Sequence, residues 1–112
     1  MKIIAVINDL FFEAKVRTTA EQLSTEMSII KDRDQLMKEA IGGGISKIIF
    51  DLNFNKFDPI EAAMEIKARY DITLIGYLFH FQADLKKKAE GSFDIILPRS
   101  EFSSRLPELL KK

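Results

Sequence analysis

Two aspartates stand at the ends of apolar runs, and carboxylates placed there invite metal or acid–base chemistry. Asp9 follows Lys2–Asn8, KIIAVIN, and Asp51 closes the apolar part of Lys47–Leu52, KIIFDL. Hard cations such as Mg²⁺ take carboxylate oxygens, but two carboxylates alone hold Mg²⁺ weakly. With Asn8 and a backbone carbonyl they make at most a weak Mg²⁺ site, so no resident cofactor is expected. The plainer roles are a helix cap for Asp9 and a loop-edge acid for Asp51.

Other chemistries lack their residues. The absence of cysteine excludes disulfides, thiolate metal sites and cysteine nucleophiles. His80 is the only histidine, and no partner for general acid–base work is evident. Gly42–Gly43–Gly44 follows a helical stretch and precedes a strand, whereas phosphate loops follow a strand and open a helix. Lys86–Lys88 reads as a solvated helix face. The segment NDLFF lacks the Ser/Thr-rich grip that a flavodoxin needs for its cofactor. No catalytic set is visible, so the chain is not expected to be an enzyme.

The aromatics are the second signal. Phenylalanine occurs nine times, and Phe11, Phe12, Phe54, Phe57, Phe79 and Phe81 crowd the ends of strands. They either plug a pocket or form a docking surface. Neighbouring strands run about 5 Å apart, so the loops that follow them leave side by side. Short loops cannot bury every ring they carry. At least two of Phe54, Phe57, Phe79 and Phe81 are therefore expected to be exposed in one protein-binding patch.

Composition narrows the partners. Lys plus Arg equals Asp plus Glu at 17 each, so counterion release offers little and no nucleic-acid role is expected. The opening KIIAVI is about a third of a membrane span, and no small-residue cleavage pattern follows it. It is expected to be a buried strand, with no membrane contact and a cytoplasmic location. A chain of 112 residues is the length of one domain, 1–112.

The elements that must position these residues alternate. Apolar runs predict strands at Lys2–Asn8, Met27–Ile30, Lys47–Leu52, Thr73–Leu78 and Phe93–Leu97. Helical spacing predicts helices over about 10–24, from Asp32 or Asp34 to Ala40, from Asp58–Pro59 through Tyr70, over Ala83–Glu90, and from a Ser100 cap to Leu110. Ile60, Ala63, Met64 and Lys67 are expected on one helix face, and Pro107 is expected to bend the last helix. Five β-α units imply a doubly wound, five-stranded parallel sheet in flavodoxin-like order 2-1-3-4-5, an α/β three-layer sandwich. Ligands in such folds bind beyond the carboxyl ends of the strands. The informative residues are then those just after Ile7, Asp51, Leu78 and Leu97.

Five such repeats with an acid ending strand three resemble the receiver domain of two-component signalling, the CheY-like family. The best local match is Ile48–Asp58, IIFDLNFNKFD. The resemblance implies that Asp51 occupies the phosphoacceptor position and Asn8–Asp9 the acidic pair. In a working receiver these acids hold Mg²⁺. A Thr or Ser after strand four bonds the new phosphate, and a Lys before Pro after strand five neutralises it. This chain departs at each place. Asn8 replaces one acid, Leu78 stands near the hydroxyl position, and Leu97 precedes Pro98. Arg99 and Ser100 are loose substitutes, since a displaced guanidinium is not interchangeable with an ammonium. The pieces DLFFEAKV and LPRSEF also resemble stand-alone receiver-like proteins of bacteria and archaea. The implied function is a non-catalytic, stand-alone pseudo-receiver that binds a protein partner in signalling or regulation. The alternative is a phosphorylatable single-domain response regulator using Asp51 with Mg²⁺. By analogy, helix four, strand five and helix five would form a homodimer.

Overall fold

A computed structural model describes residues 2–79 and 82–111. Its strands are β1 (Lys2–Val6), β2 (Met27–Ile29), β3 (Ile45–Asp51), β4 (Thr73–Leu78) and β5 (Ile95–Pro98). Its helices are α1 (Leu10–Gln22), α2 (Arg33–Gly42), α3 (Pro59–Arg69), α4 (Ala83–Ala89), α5 (Arg99–Ser104) and α6 (Leu106–Leu110). All pairings are parallel, and the strand order is β2-β1-β3-β4-β5. The doubly wound five-stranded sheet is therefore as expected, with β2 as one edge and β1, β3 and β4 inside.

The apolar runs of β1, β3 and β4 are nearly continuous because these inner strands bury both faces, whereas the edge strands β2 and β5 are only part-buried. Along β1, Ile4 and Val6 face one layer while Ile3 and Ala5 face the other. The first layer adds Ile48, Phe50 and Leu74 to Leu36 and Ala40 of α2 and Ala62, Ala63 and Ile66 of α3. The second adds Ile49, Ile75 and Tyr77 to Phe12, Val16 and Ala20 of α1, Phe102 of α5, and Leu106 and Leu109 of α6. Both layers are closed without any staple.

Three aspartates start helices as side-chain caps. Asp9 accepts from the N–H groups of Phe11 at 2.9 Å and Phe12 at 3.4 Å. Asp32, not Asp34, accepts from Gln35 at 3.0 Å. Asp58 accepts from Ile60 at 3.0 Å and Glu61 at 3.2 Å, with Pro59 in the first turn. Each carboxylate satisfies donors that have no partner within the helix. Gly43 and Gly44 turn the chain out of α2 at φ 79° and 78°, a region costly for other residues.

Several details differ from expectation. The buried stripe of α3 is Pro59, Ala62, Ala63 and Ile66, and Met64 is exposed. Small alanines let this helix approach the sheet, so side-chain size misplaced the face. β5 begins at Ile95, and Phe93 instead packs edge-on against Phe50, with ring centres 5.6 Å apart. Pro98 lies within β5, which an edge strand tolerates. The last helix is broken at Arg105 into α5 and α6. Pro107 falls in the first turn of α6, where its missing N–H costs little. Ser100 is not the cap, because α5 starts at Arg99 directly after Pro98.

Candidate functional site

The carboxyl edge of the sheet opens as a cleft of about 320 Å³ whose lining includes Asn8, Asp9, Asp51, Asn53, Tyr77 and Arg99. Asp51 is the last residue of β3 and lies level with Tyr77 of β4. Tyr77 in turn lies level with Leu97 of β5. The residue level with Asp51 is thus Tyr77, Leu78 follows it in the cleft lining, and the next strand offers an apolar side chain.

Asp51 is only 8% exposed. Its Oδ1 accepts the Asn53 N–H at 2.8 Å. Burial pushes its carboxyl above the ordinary carboxylate value, against the pull of the Asn53 and Asn8 N–H groups and of Arg99. Asp9 is held the other way. The hydrogen bond from Arg99 lowers its carboxyl, aided by the Phe11 and Phe12 N–H groups. Two acids of one cleft therefore differ in opposite directions because one is desolvated and the other is paired.

Arg99 is the cation of the cleft. Its Nη2 donates to Asp9 Oδ2. The guanidinium carbon lies 4.7 Å from the ring centre of Phe12 and 5.7 Å from that of Phe79. A planar, delocalised cation suits such a seat between rings. Beneath it, Tyr77 stacks on Phe102 at 4.7 Å and tilts against Phe12 at 5.0 Å. Burial and the Asp51 charge raise the phenol, so it stays protonated. Its hydroxyl and the Asn53 Oδ1 are buried and have no hydrogen-bond partner among the described residues.

The Mg²⁺ implied by the resemblance fits this set poorly. Both oxygens of Asp9 are engaged, by two backbone donors and by Arg99. Among the described residues no group of three or more His, Cys, Asp or Glu side chains is placed to hold a metal ion.

The structure brings Asp9, Asp51 and Phe79 to one cleft. It does not bring Phe54 or Phe57 there. Phe54 is 4% exposed and belongs to the core beneath α3, which corrects its expected place in a docking patch. Phe57 is half-buried against that core, its ring centre 4.8 Å from that of Phe54. Of the four rings expected to form the patch, Phe79 is exposed at 54%, while Phe81 lies outside the described residues, as does His80. Among the described residues the other large exposed apolar side chains of this edge are Leu10 at 68% and Phe11 at 90%. Phe11 was among the strand-end aromatics but outside the expected four-ring patch, and Leu10 was not singled out, although both fall off the Phe12–Val16–Ala20 stripe that marks the inner face of α1. Phe79 also borders a neighbouring groove of about 360 Å³ between the end of β4, α4 and β5.

No protein-family model matches the chain. No curated protein matches it either. Solved structures do. The signal receiver domain of an HD-domain-containing protein from Pseudomonas fluorescens Pf-5 superposes with a TM-score of 0.83 at 17% identity, covering 97% of this chain and 82% of that one. The receiver domain of a sensor histidine kinase from Pseudomonas aeruginosa, which holds a magnesium ion in its active-site cleft, gives 0.81 at 17% identity over 97% of this chain and 93% of that one. The phosphorylated cyanobacterial phytochrome response regulator RcpA gives 0.78 at 19% identity over 98% and 88%. The chain has the fold of a response-regulator receiver domain, and it sets Asp51 at the carboxyl edge among Asn8, Tyr77 and Arg99.

Proposed function

We propose that this domain is a stand-alone pseudo-receiver that works in signalling or regulation by binding a protein, without accepting a phosphoryl group on Asp51. The observation that carries this reading is the cleft's cation, Arg99, which is committed to Asp9 rather than free to meet a phosphoryl oxygen. Phosphoryl transfer rests on positioning and charge stabilisation. The positions level with Asp51 supply a buried phenol and a leucine, neither of which neutralises a dianion. Leu10, Phe11 and Phe79 supply exposed apolar area at the same edge, of the kind that marks interaction sites. The domain is read as cytoplasmic; no described helix is long and apolar enough to cross a membrane.

Acetyl phosphate with Mg²⁺, followed by intact-mass measurement, tests the chemical half. The expected mass is unchanged. Stoichiometric addition of a phosphoryl group that disappears in Asp51→Asn would establish the phosphorylatable regulator instead.

A further inference from the structure

We propose that the Arg99 guanidinium is the resident cation of the acid cleft and keeps divalent metal out of it. The local chain explains why it sits there. β5 ends at Pro98 and α5 begins at Arg99, so no loop separates the strand end from this side chain. From that fixed root it reaches the N-terminus of α1 and pairs with Asp9 Oδ2. Asp9 cannot swing away to meet a metal, because its Oδ1 caps α1 through the Phe11 and Phe12 N–H groups. Phe12 and Phe79 hold the guanidinium at 4.7 Å and 5.7 Å. Phe12 is itself packed against Tyr77 and Phe102, so the inner wall of this seat is part of the core, while Phe79 on the other side faces solvent.

Among the described residues the charged groups lining the cleft are Asp9, Asp51 and Arg99, and Asn8 stands uncharged beside Asp9. A divalent ion would need both carboxylates, would have to displace Arg99 from Asp9, and would then stand near a like charge. Like charges at contact distance repel even at a part-exposed site, where the effective dielectric stays well below that of bulk water. The guanidinium thus gives Asp9 the counter-charge a bound metal would supply, and the cleft keeps one ordered form whether Mg²⁺ is present or not. This concerns metal exclusion alone. Mg²⁺ uptake by the wild type would overturn it and leave the unphosphorylated state of Asp51, read by mass, standing.

The test adds Mn²⁺ to the ¹⁵N-labelled protein and follows amide signals, with Mg²⁺ calorimetry in parallel. At equimolar Mn²⁺ the signals of Asn8, Asp9, Asp51 and Asn53 are expected to keep their intensity in the wild type. Arg99→Gln should gain at least tenfold in Mg²⁺ affinity and lose those signals with Mn²⁺. Arg99→Lys, which keeps the charge, should gain less. Adding Asp9→Asn to Arg99→Gln should remove the gain. Saturable Mg²⁺ binding of equal strength in wild type and Arg99→Gln, or a folded Arg99→Gln with no gain, overturns the proposal. Should Arg99→Gln not fold, the wild-type arm decides: selective broadening at Asp9 and Asp51 overturns it, and retained signals support it.

Discussion

β3 carries a charged side chain near each end of one face, and the molecule treats the two in opposite ways. Lys47, Ile49 and Asp51 alternate onto the α1–α6 side of the sheet. At the amino end, Lys47 Nζ donates to the carbonyls of Leu109 and Lys111, each at 2.7 Å. A cation at the closing turn of a helix is favourably placed. Thr25 adds a bond from Oγ1 to the Leu110 carbonyl at 3.2 Å, and Lys2 meets Glu39 at 2.7 Å. At the carboxyl end, Asp51 is desolvated, the Tyr77 hydroxyl and Asn53 Oδ1 have no partner among the described residues, and Leu10, Phe11 and Phe79 face solvent. The amino edge is strapped shut by the chain's own groups. The carboxyl edge holds polar and apolar groups that folding leaves unused, and the proposed function rests on that surplus.

The sharpest way to break this contrast is to remove what the two ends share. Phe102 is fully buried beneath both the cleft and α6. Phe102→Ala should cost about 3–5 kcal/mol in chemical denaturation, as large-to-small core changes do. A loss under about 1 kcal/mol would mean that the aromatic stack is not the floor of the cleft.

Next comes the strap. Lys47→Met keeps the aliphatic stem and removes the charged donor from two carbonyls. The expected loss is about 2 kcal/mol, the scale of hydrogen bonds to charged groups. Hydrogen exchange should accelerate first in α6, and uniform acceleration would show that the strap is not local.

Asp51 should respond with the opposite sign. Its folded carboxyl lies above the ordinary value, so the folded state holds the proton more tightly than the unfolded state. Its contribution is favourable in acid and is lost as pH rises from the ordinary carboxyl value through the raised one. Asp51→Asn removes that loss. The variant should match the wild type at low pH and become relatively more stable as pH climbs through that window. A stability gap that does not change with pH would contradict the desolvated carboxyl.

The smallest effect belongs to Phe79. Phe79→Ser should alter stability by less than about 0.5 kcal/mol, as exposed positions usually do. On the proposed reading it weakens partner binding all the same. A loss of several kcal/mol would make the ring a plug rather than a contact.

The fold was legible because the inner strands carry apolar runs and α1, α2 and α3 each start at a visible aspartate. The places of Asp9, Asp51 and Phe79 at one cleft were legible because they stand at or just past strand ends. Tyr77 was not, because its place depends on how β4 registers against β3, and a parallel ladder between distant segments leaves no local mark. Phe54 was misjudged for a related reason. The turn after β3 folds back so that Phe54 N bonds the Asp51 carbonyl at 3.0 Å, which carries the ring under α3 instead of over the edge. Arg99 could be named as a loose substitute, but its pairing with Asp9 spans 90 residues. Met64 showed the reverse error, in which a large apolar side chain outweighed the alanines that pack.

The most direct measurement is an amide-correlation NMR comparison of the protein with Mg²⁺ alone and with Mg²⁺ plus beryllofluoride, a phosphoryl mimic. The account predicts that Asn8, Asp51, Asn53 and Tyr77 give the same spectra in both. A saturable shift of these signals on adding beryllofluoride, absent in Asp51→Asn, would contradict it and establish a cleft competent for phosphoryl chemistry.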